Sequence, residues 1–307
     1  MSRRAWLLFA LVSVLWGIPY LFIKIAVQDL APPVVVVART GIAAAILLPI
    51  ALRSGALRAL RERRGTIVLL TLTHITGPFL LITYGETHIP SSLTALLIAT
   101  QPVLVALLAL RSGDASETVR GWRAVGLGVG LVGVAGVVGF DPSGDRYRWL
   151  GAGLVLLAAL GYGAAALLVK NRLADVPPLG VVASTMTLNT LILLPVALLT
   201  APGRMPGAAS AGAIVVLGVF CTATAFLAFY RLIAEAGAGR ASLINYADPA
   251  IAVLLGVAVL HEPLRWSALG GFVLVLVGGW LSTRRQKEGR VVAESVRHSA
   301  QLVCGDS

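Results

Sequence analysis

Apolar positions along this chain fall in blocks of about twenty, separated by short polar links in which arginine is prominent. The hydrocarbon core of a bilayer takes about 20 apolar residues per helix. Ten blocks meet that length, at 5–25, 33–52, 66–86, 91–110, 121–140, 149–170, 178–200, 208–233, 238–260 and 265–283. Each is predicted to be a helix, because a lipid-spanning segment must satisfy its own backbone donors and acceptors. The links are too short for a sizeable soluble domain. The first block runs on through "FALVSVLWGIPYLFIKIAV" without a small-residue cleavage site, so it is read as a retained helix rather than a cleaved leader.

Composition agrees: 57% of the residues are hydrophobic, 13% are charged, and the mean hydropathy is +0.87. In a soluble chain the net charge of +11 would point to nucleic acid. Here the basic residues sit in the links and the tail, and no nucleic-acid partner is expected. Nineteen lysines and arginines fall on one side of the ten-span arrangement and five on the other, with Arg39 left inside the second block. That bias predicts cytoplasmic termini, as does an even number of spans. Cys221 and Cys304 have neither disulfide nor metal-ligand spacing, and no metal or cofactor is expected. The 22 arginines against 3 lysines hint at a GC-rich bacterial genome, hence a bacterial inner membrane.

The chain also repeats itself. "PPVVVVARTGIAAAILLPIAL" (32–52) parallels "PPLGVVASTMTLNTLILLPVAL" (177–198), and "WGIPYLFIK" (16–24) parallels "YGAAALLVK" (162–170). Tyr84 parallels Tyr230, "ATQP" (99–102) parallels "YADP" (246–249), and Trp122 and Gly126 parallel Trp266 and Gly270. All these pairs lie 144 to 147 residues apart. A unit of five spans is odd, so the second copy enters the membrane from the opposite side. The expected fold is all-α and integral to the membrane: ten transmembrane helices arranged as two inverted five-helix repeats, 1–143 and 144–283, with a polar cytoplasmic tail over 284–307.

The residues that carry the repeat resemble the EamA-type members of the drug/metabolite transporter superfamily over about 1–283. The marks are "WGIPYLFIK", Arg39, and "YADPAIAVLLGVAVLHEPLRWSALGGFVLVLVGG" (246–279), in which Asp248, Pro249, Glu262 and Gly270 fill characteristic positions. In the first copy Gln101 replaces the acidic residue, and "RSGDASETVRGW" lacks a clean counterpart of Glu262. The resemblance implies export or exchange of small metabolites, amino acids or drugs, with the fifth and tenth spans packing the halves together.

The candidate site is read from polar residues inside apolar spans. A charged aspartate in hydrocarbon costs about 2.5–3.5 kcal/mol and usually faces a bundle interior. Asp248 therefore either caps a half-helix that starts at Pro249 or holds a proton or a cationic substrate group. Trp16, Tyr20, Thr73, Tyr84, Gln101, Tyr230, Asn245, Tyr246 and Asp248 are candidate substrate-path residues. Arg39, about 10 Å into its span, Pro102 and Pro249 are candidates for gating or structural roles. Ser242 shares the polar stripe of Asn245 and Tyr246, and the glycine stripe "VGLGVGLVGVAGVVG" reads as scaffold.

No P-loop, H-E-x-x-H or nucleotide-binding glycine fingerprint occurs, so no enzyme is expected. Transport must then run on a gradient or by exchange. The expected function is a secondary transporter, an exporter of a small metabolite, amino acid or drug by alternating access. The alternative is a lipid-precursor flippase or nucleotide-sugar-type exchanger of the same fold. Small-molecule substrate, protons and membrane lipids are the expected partners.

Overall fold

The structure is a computed structural model that describes residues 1–104, 122–139, 146–241, 243–263 and 266–283. The tail with Cys304, the 143/144 boundary and Ser242 lie outside the described residues, as do the side chains of Asn245 and Tyr246. Among the described residues, ten apolar helical segments overlap the ten predicted blocks. They are α1 (Arg3–Ala26), α2 (Pro32–Arg53), α3 (Arg58–His88), α4 (Ser91–Leu104), α5 (Trp122–Val138), α6 (Arg146–Arg172), α7 (Pro178–Leu199), α8 (Ala208–Ala236), α9 (Ile244–Leu260) and α10 (Trp266–Thr283). Segments α1, α2, α3, α6, α7 and α8 are long and apolar enough to cross a membrane, and the other four are shorter apolar helices. Among the described residues no strand occurs. Many large apolar side chains face outward, among them Leu7, Leu52, Leu191, Leu198 and Trp266, as a lipid-facing surface requires.

Irregularities within the helices follow from local chemistry. Segment α1 breaks at Ile18, where Pro19 supplies no N–H. Segments α3 and α8 each contain a π-helical stretch, Thr71–Thr76 and Val216–Thr224, beginning 145 residues apart. The first ends beside Pro78, with the Gly77 N–H reaching back to the Leu72 carbonyl. In the second, the Thr222 hydroxyl donates to the Leu217 carbonyl at 2.8 Å. Such wide turns are rare and frequent at functional sites.

A half-helix starting at Asp248–Pro249 is not what forms. Segment α9 begins at Ile244 and runs unbroken through Pro249. Proline this near a helix start removes only one early donor, so the rod survives.

The segments pair across the two parts of the chain. Segment α2 lies against α7, α5 against α10 and α4 against α9, while α3 meets α6 and α1 meets α8. Exchanging α1–α5 for α6–α10 maps this set of pairs onto itself. The α5/α10 and α2/α7 pairs run antiparallel. In the α5/α10 contact, Gly130 and Gly126 meet Gly278, Gly133 meets Val275, and Gly136 meets Gly271. In the α2/α7 contact Gly41 meets Thr190, and further along Ala56 meets Gly180. The apolar core between α2, α3 and α7 contains Val36, Leu47, Ile75, Phe79, Met186 and Leu193.

Candidate functional site

Polar side chains gather where α2, α3, α7 and α8 meet. Arg39 is only 9% exposed. Its Nε donates to Thr222 Oγ1 at 2.8 Å, and its guanidinium lies 4.2 Å from the centroid of the Phe79 ring. Helix α8 can close on α2 because residue 218 is glycine: a Cβ there would stand 2.6 Å from Ile42 Cβ. A second chain of polar contacts starts in the other π stretch. Thr76 Oγ1 donates to Asn189 Oδ1 at 2.7 Å, and Asn189 Nδ2 donates to Thr40 Oγ1 at 3.0 Å. The Thr40 and Thr190 hydroxyls lie 2.9 Å apart. Both wide turns therefore aim a threonine at the neighbouring part of the chain.

Two carboxyl groups lie near this layer, one from each part. Glu86 of α3 is fully buried, and neither of its carboxylate oxygens has a hydrogen-bond partner among the described residues. Lys24 Nζ donates instead to the main-chain oxygens of Glu86 and Ile89, at 2.6 and 3.0 Å. Asp248 Oδ1 is buried and also lacks a hydrogen-bond partner among the described residues. The break in α1 lies beside it: a Cβ on Gly17 would stand 3.1 Å from the Asp248 carbonyl oxygen and 2.7 Å from Ile251 Cβ. Just after that break, Tyr20 is within electrostatic reach of Tyr162, Asp248, Glu86 and Arg39.

The turn that follows α9 closes one end of this region. His261 adopts a left-handed backbone (φ 53°), which turns the chain so that Glu262 points back. The Ser91 and Ser92 N–H groups donate to the Glu262 carboxylate at 2.7 and 2.9 Å, capping the start of α4. Burial alone would raise the pKa of Glu262, but the Ser92 and Ser91 donors outweigh it and hold the group below the usual carboxylate value. At the same end Asp29 accepts from the Gly207 N–H at 2.9 Å and from Ser210 Oγ at 2.8 Å, capping α8. Those bonds hold its carboxyl below the usual range as well. At the other end Arg63 pairs with Asp175 at 3.1 Å, and Arg4 with Glu235 at 3.0 Å.

The structure thus brings Tyr20, Arg39 and Asp248 to one buried region. Trp16 packs on Phe226 and Phe229, with ring centroids 5.5 and 4.6 Å apart, and Tyr230 packs beside those same rings. Pro249 is buried, and Gln101 and Pro102 are partly buried in α4, where Pro102 stands opposite Gly279. Thr73 donates to the Leu69 carbonyl at 2.8 Å and lines a peripheral apolar groove of about 340 Å³ with Leu72, Pro78 and Leu157. Tyr84 is 42% exposed and stands apart from the buried group. Glu86, Asn189 and Thr222 were not among the candidates read from sequence. Glu86 lies two residues beyond Tyr84 in "FLLITYGE", and an acid closing an apolar block was the available signal.

An all-helical bundle with lipid-facing flanks and a buried polar layer between antiparallel segments defines a polytopic membrane protein. The EamA-like transporter family model matches the chain twice, over residues 3–139 and 149–284, and the chain belongs to that family. It is 28% identical to a protein named probable terminal-alkyne amino-acid exporter from Streptantibioticus cattleyicolor, over 93% of this chain and 95% of that protein. It is 27% identical to the uncharacterized inner membrane transporter YedA of Escherichia coli K12, over 88% of each. With the uncharacterized transporter YvbV of Bacillus subtilis it shares 25% identity over 97% of this chain and 98% of that one. A solved crystal structure superposes with a TM-score of 0.63 at 21% identity, over 92% of this chain and 98% of that chain, which shows a common fold.

Proposed function

We propose that this chain is a secondary transporter that exports a small metabolite, amino acid or drug across the cytoplasmic membrane by alternating access. The observation that carries the reading is the buried polar layer shared between the two family-model matches, with Arg39 of the first held by Thr222 of the second. The antiparallel α2/α7 and α5/α10 contacts support two inverted five-helix repeats related by a pseudo-two-fold axis in the membrane plane. Two similar halves can exchange conformations, so outward-open and inward-open states have comparable energies. Tyr20, Gln101, Asp248 and the aromatic wall of Trp16 and Tyr230 would line the path, with Asp248 taking a proton or a cationic substrate group.

The test is reconstitution into vesicles with and without an imposed pH gradient. Gradient-driven efflux of a stabilising amino acid, amine or drug, found by thermal-shift screening, is expected to fall sharply in Asp248→Asn. Unchanged flux in that variant would remove Asp248 from the coupling step. Both termini are proposed to be cytoplasmic. Cysteines placed at 61, exposed near the start of α3, and at 205 should label from opposite sides, and labelling from one side would defeat the inverted arrangement.

A further inference from the structure

Glu86 stands near the end of α3, two residues before His88, and is 0% exposed. Its two carboxylate oxygens accept no hydrogen bond among the described residues. The cations around it are engaged elsewhere: Lys24 with main-chain carbonyls, Arg39 with Thr222 and the Phe79 ring. Lys24 of α1, Arg39 of α2 and Glu262 of the α9–α10 turn are the charged groups within electrostatic range of Glu86, as is the Tyr20 hydroxyl of α1. Asp248 of α9 and Tyr162 of α6 face Tyr20 in turn. Left ionised, Glu86 would be a buried charge without a donor, in a bundle that a bilayer surrounds.

We propose that Glu86 is a proton-binding site of this protein, occupied while the Lys24 and Glu262 end is closed and emptied when that end opens. One carboxylate oxygen forms an O–H bond with an incoming proton, the charge vanishes, and no other reactant is needed. A substrate ammonium is the weaker occupant. The groove of about 340 Å³ beside Thr73, and a second of about 280 Å³ beside Leu60, Ile67 and Ser184, lie away from Glu86, which lines neither. A proton needs no cavity. Glu86 also lies just inside the closure made by Lys24 on Ile89 and by Glu262 on Ser91, so a proton entering from that end reaches it behind the Glu262 carboxylate. The proton site rests on burial and missing partners. Only its use in coupling rests on the transporter reading.

The experiment is infrared spectroscopy of the full-length protein in lipid nanodiscs, during a pH titration and after transfer to deuterium oxide. At neutral pH a carboxylic-acid carbonyl band that exchanges slowly is expected. It should shift when glutamate is labelled with carbon-13, fade reversibly as the pH is raised, and be missing from Glu86→Gln. Glutamate labelling separates Glu86 from Asp248 in the unaltered protein, so the test survives if Glu86→Gln fails to fold. A band insensitive to glutamate labelling, one that persists in folded Glu86→Gln, or one that never titrates would overturn the proposal. The readout is protonation and not flux. A titrating Glu86 in a protein without gradient-driven transport would leave the site standing and defeat the transporter reading alone.

Discussion

Two contacts between the parts of the chain carry the same antiparallel geometry on different chemistry. Between α5 and α10 the contact is glycine against backbone. A Cβ on Gly278 would stand 2.4 Å from the Gly130 nitrogen, and one on Gly271 2.4 Å from the Val137 nitrogen. Between α2 and α7 an apolar core is joined by hydroxyl and amide contacts, through Thr40, Thr190 and Asn189 with Thr76 of α3 beside them. The first gains its stability from close approach and tolerates no added atom. The second gains it from hydrogen bonds that side-chain torsions can remake. A bundle whose halves must move relative to one another can pivot on the first and slide on the second.

The largest effect should come from filling the glycine contact. Gly278→Val meets main-chain atoms that cannot turn aside, and a loss of about 3 kcal/mol or more is expected. It would appear as aggregation or loss of the monodisperse peak after detergent extraction, whereas a well-folded variant would mean the two helices are not pressed together. Asn189→Leu comes next. It leaves Thr76 and Thr40 without their shared partner and should cost about 1–2 kcal/mol, read as a lowered midpoint of thermal unfolding.

Removing the cap with Glu262→Gln should cost a similar or smaller amount, about 1 kcal/mol, and its pH dependence is the sharper readout. The folded carboxyl titrates below its unfolded value of about 4.3. Its contribution is therefore complete above that pH and disappears as the pH falls through the depressed folded value. The stability gap between the two proteins should close under acid. A gap that stays constant down to acid pH would show that the carboxylate charge does not matter. Thr190→Val should cost about 0.6 kcal/mol, since Thr40 keeps its bonds to Asn189 and to the Val36 carbonyl. Breaking Arg63–Asp175 should have the smallest effect. With Asp175 69% exposed, Asp175→Asn is expected to shift unfolding by a few tenths of a kcal/mol, and only at low salt.

Helix positions were legible because a bilayer demands continuous apolar length: the described helices overlap the apolar blocks read from the chain, six of them long enough to cross. That the glycine stripe of α5 is scaffold was legible too, since small residues at helical spacing let helices approach closely, while its partner α10 was implied only by the family resemblance. Which polar residues turn inward was not. Tyr84 and Glu86 lie two positions apart, about 200° around a helix, so burying one exposes the other. The sequence marks both as polar but does not say which side α6 and α2 will cover. Asp248–Pro249 misled for a related reason: locally the pair is a good helix start, yet α9 begins four residues earlier.

By itself, then, the order of residues determined that the chain folds as apolar rods, how many apolar blocks it has, and that it repeats at an interval near 145, because those properties depend on length, polarity and local backbone chemistry. The tertiary structure decided that Arg39 meets Thr222, that the Glu86 carboxylate is sealed without a hydrogen-bond partner among the described residues, and that Glu262 caps α4 across 170 residues of chain. Those contacts join positions far apart in sequence, and no local pattern encodes the rotation of one helix against another.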